Sequence, residues 1–128
     1  MREEVLSAVQ QMVAAITGAA VVIGSLPPLE GYAVSIAGGA PMGTFWPLTS
    51  NEELPIQFTG KSADQQQLAV AMGEVHKALT TAPVGALPSA SGWQVYAIQT
   101  ASAPSLIGRE QNINYIYGST FRVKFYAR

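Results

Sequence analysis

Three places in the sequence hold residue types that could do chemistry. Gly60-Lys61-Ser62 lies between an alternating apolar run and a helical pattern, the setting in which a P-loop holds phosphate. That loop also needs a glycine five positions before Gly60, so that backbone N–H groups wrap the anion. The position holds Pro55, and Ile56 and Phe58 between them read as strand. Gly38-Gly39-Ala40-Pro41-Met42-Gly43 fails as a dinucleotide loop in a similar way. Its second required glycine is Ala40, and Pro41 removes an N–H. His76 and Asp64 are the single histidine and single aspartate, so a Ser-His-Asp assembly must recruit both, and no Gly-x-Ser-x-Gly elbow is present. One histidine, no cysteine and scattered carboxylates do not make a dedicated metal site. Glu52 and Glu53 are adjacent, so on an extended chain they point to opposite faces and read as solvated. No catalytic, cofactor or metal residue is assigned, and the expectation is a protein that is not an enzyme.

The remaining candidates are suited to contact. Arg122, Lys124, Tyr126 and Arg128 share one face of the last alternating segment. Three cations on a chain with 8 acids and 7 bases are too few for a nucleic-acid site, so they read as edge protection or partner contact. Phe45 and Trp46 sit in a loop rich in Gly and Pro, where aromatic side chains serve as interface anchors. Met42 and Leu48 flank them, and Leu87 lies in a second Pro/Gly loop from Pro83 to Gly92. Nine glutamines supply polar surface without charge, which packs against a neighbour at lower desolvation cost than ions.

The elements that position these residues follow from periodicity. Val5, Val9, Met12, Val13 and Ile16 form one stripe of a helix, with Glu3 and Glu4 in its first turn and Gly18 as its stop. Tyr32, Val34 and Ile36 alternate as a strand, and Leu54, Ile56 and Phe58 as a second. Ser62 and Gln65 have capping-box spacing ahead of a helix whose apolar stripe is Leu68, Met72, Val75 and Leu79. Trp93 to Thr100 reads as a strand, and Ala101 to Gly108, with Pro104, as a connection. From Ile113 to Phe125 the alternation is long, and Gly118 marks a bulge or bend. This order predicts a single α+β domain over residues 1–128, with a largely antiparallel sheet and two helices packed mainly on one face.

Composition narrows the function further. The 128 residues are 48% hydrophobic and only 12% charged, against about 25% charged in an ordinary soluble domain. No Asp, Glu, Lys or Arg occurs between Gly31 and Thr49. The apolar run from Met12 to Ile23 is too short to span a bilayer, and Glu3 and Glu4 oppose a secretory n-region, so the chain reads as intracellular. So few charges suit a subunit whose bare surfaces are covered by neighbours.

The order of elements resembles the tail-terminator and minor-capsid (tail-completion) proteins of long-tailed bacteriophages. The resemblance rests on a leading amphipathic helix and the Tyr-x-Val-x-Ile strand of Tyr32 to Ile36. The run Ile56-Gln57-Phe58-Thr59-Gly60-Lys61-Ser62-Ala63-Asp64-Gln65-Gln66 and the closing strands Trp93 to Thr100 and Asn112 to Ala127 complete it. It covers nearly the whole chain as pattern and order, without a catalytic signature. It implies a homo-oligomeric ring, commonly a hexamer, that caps the tail tube and joins it to the head connector. DNA would pass through the ring without a specific site. It also implies residence in the virion tail or neck, and in host cytoplasm during assembly. A head-completion or stopper role is the related reading. A small-molecule-binding domain or enzyme using Tyr115, Tyr117 and Ser119 is the reading from another class. The expected contact residues are Met42, Phe45, Trp46, Leu48, Leu87, Arg122, Lys124 and Arg128, with no cofactor and no membrane. On this reading Trp46→Ala weakens assembly more than folding.

Overall fold

A computed structural model describes residues 2–24, 26, 30–36, 51–83, 85, 87–90, 92–110 and 114–127. Helix α1 (Arg2–Thr17) leads into β1 (Val21–Ile23) and β2 (Gly31–Ile36). Strand β3 (Asn51–Ser62) precedes α2 (Gln65–Thr81), and β4 (Ser89–Ala90), β5 (Trp93–Glu110) and β6 (Asn114–Ala127) follow. The strands form one sheet in the order β1-β2-β3-β6-β5-β4. All neighbours are antiparallel except β1 and β2, which are parallel. The α+β class with a largely antiparallel sheet is therefore observed.

Alternation builds one buried sheet surface. Leu54, Ile56 and Phe58 on β3 lie beside Phe121, Val123 and Phe125 on β6, and Val95 and Ile98 extend the layer onto β5. Val5, Leu6, Val9 and Val13 from α1 and Leu68, Met72, Val75 and Leu79 from α2 enter the same cluster. Helix α1 ends at Gly18, where φ is +69°, a backbone region that L side chains rarely adopt. Gln10 Nε2 then donates to the Val21 carbonyl at 2.6 Å, tying the helix to β1. At the other end of α1, Trp93 Nε1 donates to Glu4 Oε2 at 3.3 Å.

Three boundaries differ from the sequence expectation. Strand β3 runs beyond Leu54–Thr59 at both ends because β6 supplies partners from Asn51↔Tyr126 to Ser62↔Tyr115. Pro55 is compatible with it because the pairing with β2 ends at Ile36↔Ile56, and among the described residues no strand pairs with that side of Pro55.

The capping box does not form. Ser62 stays in β3, and Asp64 is the N-cap, with φ −98° and ψ 102° and its side chain accepting from Gln67 N at 3.0 Å. A carboxylate at that position also meets the positive end of the helix dipole.

The third difference is the largest. Ala101 to Gly108 is not a connection, because β5 continues to Glu110. Register irregularities between Val95 and Gly108 absorb residues that do not fit the ladder. Pro104 is compatible with this strand because the outer side of β5 has no paired strand at that point among the described residues.

No helix among the described residues is long and apolar enough to cross a membrane.

Candidate functional site

The strand-to-helix junction at Gly60-Lys61-Ser62 is occupied by carboxylates. Glu30 Oε2 accepts from Ser62 Oγ at 3.1 Å and from Ala63 N at 2.7 Å, while Asp64 caps α2. Two acids at a helix start satisfy its donors and repel an anion. Lys61 is 4% exposed and belongs to the paired part of β3. A cleft of about 360 Å³ opens beside it, lined among others by Ala19, Glu30, Tyr32, Lys61 and Gln67. Burial and the nearby Glu30 charge raise the Tyr32 hydroxyl above its ordinary pKa, so it remains protonated.

His76 and Asp64 are not brought together. Twelve residues of helix separate them, about 18 Å at 1.5 Å per residue. His76 instead contacts Thr100 Oγ1 through Nε2 at 2.8 Å. Burial lowers its pKa below the ordinary imidazole value.

Tyr115, Tyr117 and Ser119 each have neighbours among the described residues. Arg109 lies over the Tyr115 ring at 4.5 Å, Gln65 Nε2 donates to the Tyr117 hydroxyl at 3.1 Å, and Ser119 is buried. None of the three lines the described cleft. Among the described residues, no three of His, Asp and Glu are grouped as a metal site.

The contact residues expected from sequence separate into three groups. Met42, Phe45, Trp46, Leu48 and Arg128 lie outside the described residues. Leu87 is 8% exposed and joins the chain's own core, so its side chain is not a surface anchor in this chain. The apolar core beneath the loop after α2 accounts for its burial. Arg122 is exposed and donates from its guanidinium to the Thr100 carbonyl at 3.3 Å. Lys124 is half-buried, with Nζ 4.0 Å from Glu53 Oε1. Arg122 and Lys124 are thus anchored to the sheet, and the Lys124 charge is balanced. Glu53, expected to be solvated, supplies that balance.

The exposed apolar surface lies elsewhere. Leu106 is 48% exposed and Ile107 57% exposed, on the outer half of β5 that sequence reading took for a connection. Pro104 masked this strand by resembling a breaker, and the bulges interrupted its alternation. A usable signal was present nonetheless, because no Asp, Glu, Lys or Arg occurs from Trp93 to Gly108. Tyr126 adds a stacked aromatic pair with Tyr96, ring centroids 4.5 Å apart.

The fold is shared with a virion chain. A chain from the virion of a native gene transfer agent particle matches over 95% of this chain and 94% of its own, with a TM-score of 0.66. Sequence identity is 19%, so the likeness is one of architecture. No family model matches the sequence, and no curated protein does.

Proposed function

We propose that this chain is a structural virion subunit, a ring-forming tail terminator that caps the tail tube and joins it to the head connector. The observation that carries the reading is the near end-to-end likeness to the virion chain, which leaves little of either chain unmatched. The surface supports it. Leu106 and Ile107 expose large apolar side chains on a strand segment without balancing charge, and such surface favours contact with protein. Ring closure requires heterologous contacts, in which two different patches meet around a rotation axis. The outer half of β5 is one such patch. Val22 and Ile23, exposed on β1 at the opposite edge of the sheet, are the other. Met42, Phe45, Trp46 and Leu48 remain proposed contacts with the same partners, as do Arg122, Lys124 and Arg128.

The deciding experiment is mass measurement by light scattering, with negative-stain imaging, with and without the tail tube protein. A hexameric ring that binds tube ends is the expected result. A strict monomer at high concentration, both alone and with tubes, overturns the reading. Rings that bind heads and ignore tubes place the subunit in head completion instead.

A further inference from the structure

His76 stands on α2, facing β5 and β6. Its Nε2 is 2.8 Å from Thr100 Oγ1, and its ring lies 5.0 Å from that of Phe121, tilted by 33°. Its Nδ1 is shut off from solvent and has no hydrogen-bond partner among the described residues. Thr100 is exposed and lies two residues beyond Ile98, the last buried residue of β5, and Ala101, Ser102 and Ala103 after it are exposed too. We infer that His76 is a pH-sensitive latch that holds α2 to β5 at the point where the strand leaves the core.

Neutral imidazole suits the site. With the proton on Nε2, it donates to Thr100 Oγ1 and leaves only a bare lone pair on Nδ1. Protonation places a second N–H on Nδ1, where the described residues offer no acceptor. A cation is attracted to the Phe121 ring, but that gain is smaller than the loss from burying a charged donor without a partner. No acid offsets the charge on the packed elements. Strand β5 carries no Asp, Glu, Lys or Arg from Trp93 to Gly108. On β6, the nearby ionisable side chain is Arg122, a like charge on the Thr100 carbonyl. On α2, Glu74 and Lys77 lie two residues before and one after His76, spacings that do not face it, and both are exposed. Helix α1 has its ionisable residues in the first turn, where Glu4 accepts from Trp93. On β3, Leu54, Ile56 and Phe58 supply the buried face and no charge.

Burial lowers the imidazole pKa, and the sign of the linkage follows. On acidification the released ring takes up a proton before the latched ring does. The latch is at full strength above about pH 6.5, the unperturbed value. It weakens as pH falls from there to the latched pKa, and below that point the loss is constant. Opening it releases Thr100 from α2, just before the outer part of β5 that carries Leu106 and Ile107.

The single histidine makes the test direct, because the full chain gives one imidazole NMR signal. That signal is titrated, and amide hydrogen exchange of residues 99–109 is followed from about pH 7.5 to about pH 5, corrected for intrinsic rates. A pKa below 6.5 is expected, and protection of residues 99–103 falls by tenfold for each unit of lowering measured. His76→Gln still bonds Thr100 but does not titrate, so its protection stays flat. His76→Phe, which keeps a ring on Phe121, serves as the same control where Gln is not accommodated. A pKa at or above 6.5 overturns the latch. So does an equal loss of protection in the non-titrating variants.

Discussion

Along one pair of strands, β5 from Trp93 to Thr100 and β5 from Ala101 to Arg109 meet different surroundings. The first part places Trp93, Val95 and Ile98 in the core against Phe121, Val123 and Phe125. The second also pairs with β6, from Ser102↔Thr120 to Glu110↔Asn114, though with more register shifts, and it leaves Leu106 and Ile107 open. Both parts are hydrogen-bonded to β6, so pairing alone does not account for the contrast. Side-chain burial does, since a buried aliphatic or aromatic side chain contributes about 1.5–3 kcal/mol relative to an exposed one. One part of the ladder therefore stabilises the subunit. The other is surface held out by the same strands.

The largest test of this contrast is Phe121→Ala. Phe121 is fully buried and touches both His76 and the central strands. Its truncation is expected to cost about 3–5 kcal/mol in urea unfolding, while Ile107→Ala changes stability by no more than about 0.5 kcal/mol. Equal losses would show that the outer part belongs to the same cooperative core.

Two glycines sharpen the comparison, because they sit on neighbouring rungs with opposite surroundings. A Cβ on Gly60 would come within 2.9 Å of Leu68 Cδ1, 3.0 Å of Met72 Sδ and 3.1 Å of Tyr32 Cδ1. Leu68 and Met72 are locked in the core, so Gly60→Ala is expected to destabilise by about 1–3 kcal/mol through overpacking. A Cβ on Gly118 would reach 2.3 Å from Ile107 Cδ1, a closer clash on paper. Ile107 is exposed and its chain end can swing away, so Gly118→Ala is expected to cost less than Gly60→Ala in thermal unfolding. The reverse order would mean that Ile107 is fixed over the sheet.

What was legible in the sequence follows the same division. Where one face is buried, periodicity reports it: Leu68, Met72, Val75 and Leu79 are the buried stripe of α2, and Leu54, Ile56 and Phe58 that of β3. Where burial stops, the pattern stops, and Ala101 to Gly108 looked like loop although it is strand. Apolar residues in Pro/Gly-rich loops are ambiguous for a related reason. Leu87 turned inward because a core lay beneath it, which residue type alone does not report. The missing P-loop glycine at Pro55 was decisive, and the carboxylates of Glu30 and Asp64 agree with it. Glu30 was invisible as a neighbour of Ser62 because 32 residues separate them.

The smallest expected effect concerns the helix start that faces the outer part of the ladder. Ser62 pairs with Tyr115, and Gln65 Nε2 donates to the Tyr117 hydroxyl, so the first turn of α2 reaches toward that region. Asp64 accepts from Gln67 N, whereas Ser62 Oγ accepts from Asp64 N outside the helix. Asp64→Ala is therefore expected to cost about 1 kcal/mol and to fray that turn, with Ser62→Ala costing less. Amide exchange at Gln67 and Leu68 separates the two: it quickens in Asp64→Ala and stays near its original rate in Ser62→Ala. If Ser62→Ala frayed the turn as much, the Glu30–Ser62 bond would be the true clamp on α2, and the outer ladder would depend on a contact made across 32 residues of sequence rather than on a local cap.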